Sequence, residues 1–244
     1  MRIVTNAPLA KRNRQIAQYG FFASFLVPIG GLLLLNQQTE MPSTTNVFVG
    51  LVLPFLVLPL AYVMIIFSVR LSNLWVREPR PEAVIEAGLK GISNKSVLYN
   101  YFFFPARHVL FAPQGVFAMT TRFQDGSYTV NERQWVTNKS FIGRILSYLR
   151  MDMIGDPTRD AERAAEKLQN MLADIAPGVT VQPLVIFVDP RVQIHVTDSP
   201  VPILHANPKM SKNLKDYMKE VTKQHLPTLT QEQIEAFEQA YLAG

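Results

Sequence analysis

Two uninterrupted apolar runs dominate the first third of the chain. They cover residues 19–35 and 47–69, and neither contains a charged residue. At about 1.5 Å per residue, a helix over the second run would cross a hydrocarbon core of about 30 Å, and the first run reaches that length with the residues just before it. Spanning helices tolerate the prolines found in both runs. The pattern predicts two transmembrane helices at about residues 17–35 and 47–69.

A cleaved signal peptide is the alternative interpretation of the first run, because basic residues precede it. However, residues 36–40 offer no small-x-small cleavage pattern, and the second run would anchor the chain in any case. We therefore expect both spans to be retained as a membrane hairpin.

Basic residues border the two runs at their outer ends. The bordering residues are Lys11, Arg12, Arg14, Arg70, Arg77 and Arg80. The connecting residues 36–46 contain neither lysine nor arginine. The positive-inside rule then predicts a two-span protein of a bacterial inner membrane, with the lipid bilayer as a partner and both termini in the cytoplasm.

The remainder of the chain alternates strand and helix patterns. Domain boundaries are predicted at 1–70 for the hairpin, 71–80 for a linker and 81–244 for a cytoplasmic domain. Strands are predicted at 96–104, 108–112, 115–121, 127–130, 181–188 and 192–196, and the last three strands before residue 131 are expected to form an antiparallel meander. The pattern predicts an α/β domain with a mixed sheet flanked by helices.

Helix boundaries are marked by capping residues. Asp156 before Pro157 is typical of an N-cap, and Thr230 with Gln233 forms a capping box. A short helix is predicted from Pro81 to Leu89 and an amphipathic helix around residues 212–223.

Composition narrows the chemistry of the domain. The chain has 244 residues and no cysteine, which excludes disulfides, thiolate nucleophiles and cysteine-bound metals. No pair of its four histidines has metal-ligand spacing, and Gly-x-Ser-x-Gly and Gly-rich phosphate loops are missing from the domain. The sequence therefore predicts no catalytic residue, metal, cofactor or small-molecule substrate.

One basic surface is a candidate for binding anions. Four lysines would lie within one arc of the helix: Lys212, Lys215, Lys219 and Lys223. They could face anionic lipid headgroups or nucleic-acid phosphate. An ordinary solvated helix face is the alternative, because Asp216 and Glu220 border the lysines.

The segment Ala106–Gly126 (ARHVLFAPQGVFAMTTRFQDG) resembles the core of the nuclease-related domain family, NERD. The family pattern has an aspartate before a histidine, a Pro-x-Gly turn between two strands, Glu-x-Lys on the second strand and a later glycine. His108, Pro113, Gly115 and Gly126 stand at the matching positions. Further matches are Glu82, Asp156-Pro157 and residues 181–190. The resemblance implies a restriction-endonuclease-like fold from Pro81 to Leu242.

The catalytic positions of this pattern are substituted. Arg107 replaces the metal-binding aspartate, Thr120 the glutamate and Arg122 the lysine. Arginine does not coordinate Mg²⁺, and threonine offers one neutral oxygen in place of a carboxylate. The resemblance therefore predicts a non-catalytic cleft in which Arg107 and Arg122 could bind phosphate. The alternative is that both arginines pair with nearby acids such as Asp125.

These observations lead to one main hypothesis and two alternatives. The main hypothesis is a membrane-anchored, non-catalytic nuclease-related protein that acts as a cytoplasmic binding or scaffold module, with nucleic acid as a candidate ligand. The first alternative is a divergent metal-dependent nuclease with relocated carboxylates, for which the candidates are Glu82, Asp125 and Glu132.

The second alternative is an accessory subunit of a larger membrane complex. It would contact other membrane subunits through small residues of the hairpin, namely Gly20, Ala23, Gly30 and Gly31.

Overall fold

The computed structural model describes residues 1–36, 53–149 and 153–242 of the chain. The described residues form two compact units. One unit contains Met1–Ala7, Pro79–Tyr148 and the chain from Met153 onward, and the other contains the residues of Pro8–Glu78 and Leu149. The predicted loop after Asn36 and the first part of the predicted second span lie outside the described residues.

The second unit consists of two long helices. Helix α1 covers Ala7–Asn36 and helix α2 covers Leu53–Trp75. Both are long and apolar enough to cross a membrane, and only 17% of the most apolar window of each is buried. A core helix of a soluble domain would have most of this surface covered. The described parts of both predicted spans are therefore helical, and α2 extends past residue 69 to Trp75.

Small residues form the contact between α1 and α2. The buried positions of α1 recur every seven residues, at Ala10, Ala17, Ser24 and Gly31. A Cβ atom on Gly31 would lie 2.7 Å from Cγ1 of Val57, and one on Gly20 would lie 3.5 Å from Oγ of Ser68. Because later residues of α1 face earlier residues of α2, the helices are antiparallel. Two of the glycines considered for docking to other subunits thus serve the contact within the hairpin, as small residues do in membranes.

The first unit is built on a mixed sheet. Its strands are β1 Arg2–Thr5, β2 Val97–Phe103, β3 Ala106–Ala112, β4 Gly115–Arg122, β7 Val181–Phe187 and β9 Ile203–His205. They follow one another across the sheet in the order β1-β2-β3-β4-β7-β9. Strands β2, β3 and β4 are antiparallel neighbours, whereas the pairs β1/β2, β4/β7 and β7/β9 are parallel. The predicted mixed sheet is confirmed.

Helices cover both faces of this sheet. One face packs against α3 (Pro81–Gly88) and α6 (Leu214–Val221), and the other against α5 (Pro157–Leu172) and α7 (Gln231–Leu242). A 3₁₀ turn, Thr222–Gln224, follows α6, and helix α4 covers Phe141–Leu149. The predicted caps are confirmed. Asp156 accepts a hydrogen bond from the Arg159 amide at 3.0 Å. The Gln233 amide donates to Oγ1 of Thr230 at 3.2 Å, and the Thr230 amide donates to Oε1 of Gln233 at 3.0 Å.

Aromatic rings fill the core beneath α5 and α7. Phe237 of α7 stacks edge-on against Phe103 and Phe111 of the sheet, with ring centroids 5.0 and 5.1 Å apart. Tyr99 joins this group and donates a hydrogen bond to Glu238 at 2.6 Å. Burial, followed by the bond to Glu238, raises the pKa of Tyr99. The apolar side of the last helix is thus buried in the domain.

The third strand of the predicted meander belongs to a second, smaller sheet. Strand β5 (Ser127–Asn131) lies between β6 (Gln134–Thr137) and β8 (Gln193–Val196). It pairs antiparallel with β6 and parallel with β8, and it does not continue the main sheet beside β4. The prediction was wrong because β7 takes the position beside β4, where its apolar residues are buried on both sides. The meander consists of β2, β3 and β4.

The N-terminal strand is the main unpredicted feature. Residues Arg2–Thr5, assigned by their position to the hairpin, pair in parallel with Val97–Asn100 of β2. Arg2 also forms an ion pair with Glu238 of α7 at 2.5 Å. The sheet therefore contains chain from both sides of the α1–α2 hairpin. Strands β6 and β9 and helix α4 were also not predicted.

Candidate functional site

The three positions at which the resemblance predicts substitutions, Arg107, Thr120 and Arg122, lie on one face of the main sheet. His108 pairs with Met119, so Arg107 lies opposite Thr120 one step further along the two antiparallel strands. Thr120 and Arg122 are two residues apart on β4 and therefore share a face. This is the face covered by α5. Val109 and Ala118 lie two residues from Arg107 and Thr120 and so share their face, and both pack into the core that contains Ala164 and Leu168 of α5.

Asp160 of α5 engages Arg122 directly. The Nη2 atom of Arg122 donates to Oδ2 of Asp160 at 2.5 Å, and its Nη1 donates to the Thr121 carbonyl at 3.3 Å. The Arg122 side chain is 13% exposed, whereas that of Asp160 is 50% exposed. Burial lowers the pKa of Arg122, and the charge of Asp160 acts in the opposite direction. Arg122 thus has an acidic partner, as the alternative interpretation expected, but the partner is Asp160 and not Asp125.

The residues at these positions do not fit the divalent metal that the resemblance implies. Hard cations such as Mg²⁺ take carboxylate and carbonyl oxygens, often from several residues. Thr120 contributes one neutral hydroxyl, which is buried with no hydrogen-bond partner in the described part of the chain. The nearby carboxylate of Asp160 is already bound to a guanidinium. Arg107 and Arg122 would repel a cation that approached between them.

A second polar cluster lies on the opposite face, around His108. Its Nδ1 is 2.8 Å from Oδ1 of Asn100, and the Asn100 amide donates to Oγ1 of Thr5 at 3.1 Å. Because the amide oxygen is an acceptor, Nδ1 carries the proton and Nε2 is unprotonated. His108 is fully buried, and burial, helped by the charge of Arg107, lowers its pKa to about 3. Neutral His108 thus links β3 through β2 to the N-terminal strand.

The three acids considered for a relocated metal site lie in different surroundings, and two of them have other partners. Glu82 accepts a hydrogen bond from the Tyr101 hydroxyl at 2.6 Å, and Asp125 lies 3.4 Å from Arg191. Glu132 is exposed at the turn between β5 and β6, in a left-handed conformation. Among residues 1–36, 53–149 and 153–242, no group of three or more acidic or histidine side chains could hold a metal ion. The structure does not bring these acids together.

The four lysines do not share one helix. Only Lys215 and Lys219 belong to α6, which begins after Lys212 and its capping neighbour Asn213, while Lys223 lies in the 3₁₀ turn. All four are exposed, and Lys219 pairs with Asp216 at 2.8 Å. Lys215 and Lys219 line a cleft of about 300 Å³ together with Lys90 from the loop after α3. The lysines form a basic surface, but the predicted single helical arc was wrong.

Sequence reasoning missed two partners of the site. Asp160 lies four residues before Ala164, on the buried stripe of α5, and that spacing could have placed it against the sheet. Asn100 has no local signal, because its role depends on pairing with both β1 and β3.

A mixed sheet with an antiparallel meander, covered by helices on both faces, makes this unit an α/β domain. Residues 81–188 match the family model for the nuclease-related domain, NERD, and this match supports the resemblance seen in the sequence. The match runs from the start of α3 to the residue after β7, so β1, β8, β9, α6 and α7 lie outside it. Comparison with curated proteins and with solved structures gives no match.

The ion pair between Arg122 and Asp160 should contribute to stability. Breaking a fully buried pair costs about 3–5 kcal/mol, and half-exposed Asp160 should bring the loss for Asp160→Asn to roughly 2 kcal/mol. Chemical unfolding of the full chain in detergent would measure it. Glu162→Gln is the matched control. Glu162 lies on α5 like Asp160, but its ion pair with Arg133 is exposed. Equal effects of the two substitutions would contradict a stabilising pair.

Buried His108 should make the fold sensitive to acid. Its pKa is about 3 in the folded chain against 6.5 in the unfolded chain, so only the unfolded state gains a proton between these values. The free energy of unfolding should fall by up to about 1.4 kcal/mol per pH unit as pH drops through this window, and be unaffected above it. Unfolding measured from pH 7 to pH 5 would show this slope.

His108→Leu should flatten the slope, whatever its effect on stability at pH 7. Exposed His195→Leu is the control and should retain it. An unchanged slope in His108→Leu would show that another group is responsible.

Proposed function

We propose that this chain is a membrane-anchored, non-catalytic nuclease-related protein whose domain acts as a cytoplasmic binding module. The observation that carries the proposal is the ion pair of Arg122 with Asp160 on the face that holds Arg107 and Thr120. Where the family pattern places a metal-binding aspartate, a glutamate and a lysine, this chain has two cations, a neutral hydroxyl and one neutralising acid. Such a set can hold an anion but cannot generate a metal-bound nucleophile.

The N-terminal strand supports a topology with two spans. Strand β1 ends at Thr5, the chain continues through α1 and α2, and it returns to the same unit at Pro79. Chain segments that share a sheet must lie on the same side of a membrane, so the number of crossings between them is even. Two apolar helices satisfy this requirement. The basic residues at their outer ends then favour the cytoplasm for the domain and both termini.

Nucleic acid is the ligand class that the charges favour. Asp160 neutralises Arg122, so binding would depend on the exposed lysines, among which Lys90 and Lys215 line one cleft. Arginine and lysine contacts to phosphate supply sequence-independent affinity that falls as the salt concentration rises. The module would therefore retain a nucleic-acid backbone without cleaving it.

The absence of cleavage can be tested by restoring the family pattern. Full-length protein in detergent should bind labelled DNA or RNA in low salt without degrading it in Mg²⁺ or Mn²⁺. The variant Arg107→Asp/Thr120→Glu/Arg122→Lys places two carboxylates on one face in place of an arginine and a hydroxyl, and it should gain Mn²⁺ affinity of about tenfold or more. Electron paramagnetic resonance of free Mn²⁺ would measure the gain.

Two controls make this experiment decisive. The single variant Lys215→Ala should weaken nucleic-acid binding without creating a metal site. Metal-dependent cleavage by the unmodified chain that is lost in Glu82→Gln or Asp125→Asn would overturn the proposal in favour of relocated carboxylates.

The topology can be tested with single cysteines, because the chain has none of its own. In intact expressing cells, a membrane-impermeant maleimide should label Thr44→Cys in the predicted outer loop. Exposed Glu166→Cys of α5 should be labelled only after the membrane is permeabilised. Labelling of Glu166→Cys in intact cells would contradict a cytoplasmic domain.

A further inference from the structure

Helix α4 has its apolar side turned outward. Phe141, Ile142 and Tyr148 are 77%, 69% and 67% exposed, and Ile145 and Leu146 are also exposed. The small residues of the same helix, Gly143 and Ser147, are only half-exposed. At 100° per residue, the apolar side chains cover about 160° of the helix and the small or polar ones the remainder. A helix of a soluble domain would show the opposite arrangement.

The inward side of α4 is held by hydrogen bonds. Lys139 Nζ donates to Oγ of Ser147 at 2.9 Å, and Arg144 Nε donates to the Lys139 carbonyl at 3.1 Å. Arg144 Nη2 also donates to the Thr137 carbonyl at 3.4 Å. These bonds fix α4 to the end of β6 through its polar residues. The outward direction of the apolar side is thus a consequence of specific contacts.

The charged residues next to α4 in the sequence are positive. No acidic residue occurs between Glu132 and Asp152, whereas Lys139 precedes the helix, Arg144 lies within it and Arg150 follows it in the sequence. The hydrogen bonds of Lys139 and Arg144 go to neutral oxygens, so their charge is not compensated by a carboxylate of the described chain. An apolar face bordered by cations is complementary to the acyl boundary and anionic headgroups of a bilayer.

We infer that α4 is an interfacial membrane helix, which lies in the headgroup region of a bilayer with anionic lipids. The inference rests on the proposed membrane anchoring and adds a second contact to it. Aromatic Phe141 and Tyr148 near the helix ends suit the interface, where amphipathic and aromatic side chains are favoured. The anchor tethers the chain, and α4 sets which surface of the domain meets the lipid.

Depth-dependent fluorescence quenching tests this inference on the full chain. Single cysteines are introduced at Ile142 or Leu146 on the apolar side and at Ser147 on the polar side, and each is labelled with an environment-sensitive nitrobenzoxadiazole dye. The protein is reconstituted into vesicles of phosphatidylethanolamine and phosphatidylglycerol that carry nitroxide-labelled lipid. Dyes at Ile142 and Leu146 should be quenched at least about twofold more than dye at Ser147, with the strongest effect from shallow nitroxides.

Two reference positions separate the failure of this inference from the failure of the anchor. Leu26→Cys on α1 should be quenched by deep nitroxides, and Glu166→Cys on α5 should not be quenched. Quenching at Leu26 without quenching at Ile142 and Leu146 would overturn the interfacial helix and leave the anchor intact. No quenching at Leu26 would instead overturn the membrane anchoring. A blue-shifted but unquenched dye at Ile142 would show that protein covers α4, which also overturns the inference.

Discussion

The pairing of β1 with β2 is the constraint on which the organisation of this chain depends. Four residues at the N-terminus form the edge of the main sheet, and the long apolar helices begin immediately after them. The Asn100 carbonyl accepts from the Asn6 amide at 3.0 Å, and its side chain joins Thr5 to His108. Without β1, these buried polar groups would lose partners that are costly to leave unpaired. The domain therefore includes the segment that precedes its own anchor.

The face that carries Arg107, Thr120 and Arg122 has an internal ion pair. An arginine that is 13% exposed requires a partner, because an isolated buried charge is strongly unfavourable. Asp160 supplies that partner from the first turn of α5, where the positive end of the helix dipole also favours an acid. This pairing gives Arg122 a structural role that is separate from any ligand.

Local patterns predicted the elements more successfully than their partners. Caps at Asp156 and Thr230, the apolar stripe of α5 and the strands around Pro113 follow from nearest-neighbour chemistry, and they are present in the structure. Strand β1 is too short to show a periodic signal, and its state depends on β2, which lies more than 90 residues away. The choice of Asp160 over Asp125 as partner of Arg122 depends on how α5 packs on β4. Such long-range choices arise from tertiary packing, which no local pattern contains.

Helices α4 and α5 show why periodicity alone does not reveal the environment of an apolar face. Both have apolar residues at helical spacing, and periodicity only establishes which side chains share a side. In α5 the apolar side contacts the sheet and the charged side faces outward, whereas in α4 hydrogen bonds through Ser147 and Arg144 turn the apolar side away from the domain. The medium that covers an apolar side is decided by where the polar side is fixed. For α4, uncompensated cations and two apolar helices of the same chain make a bilayer the medium that matches both charge and hydrophobicity.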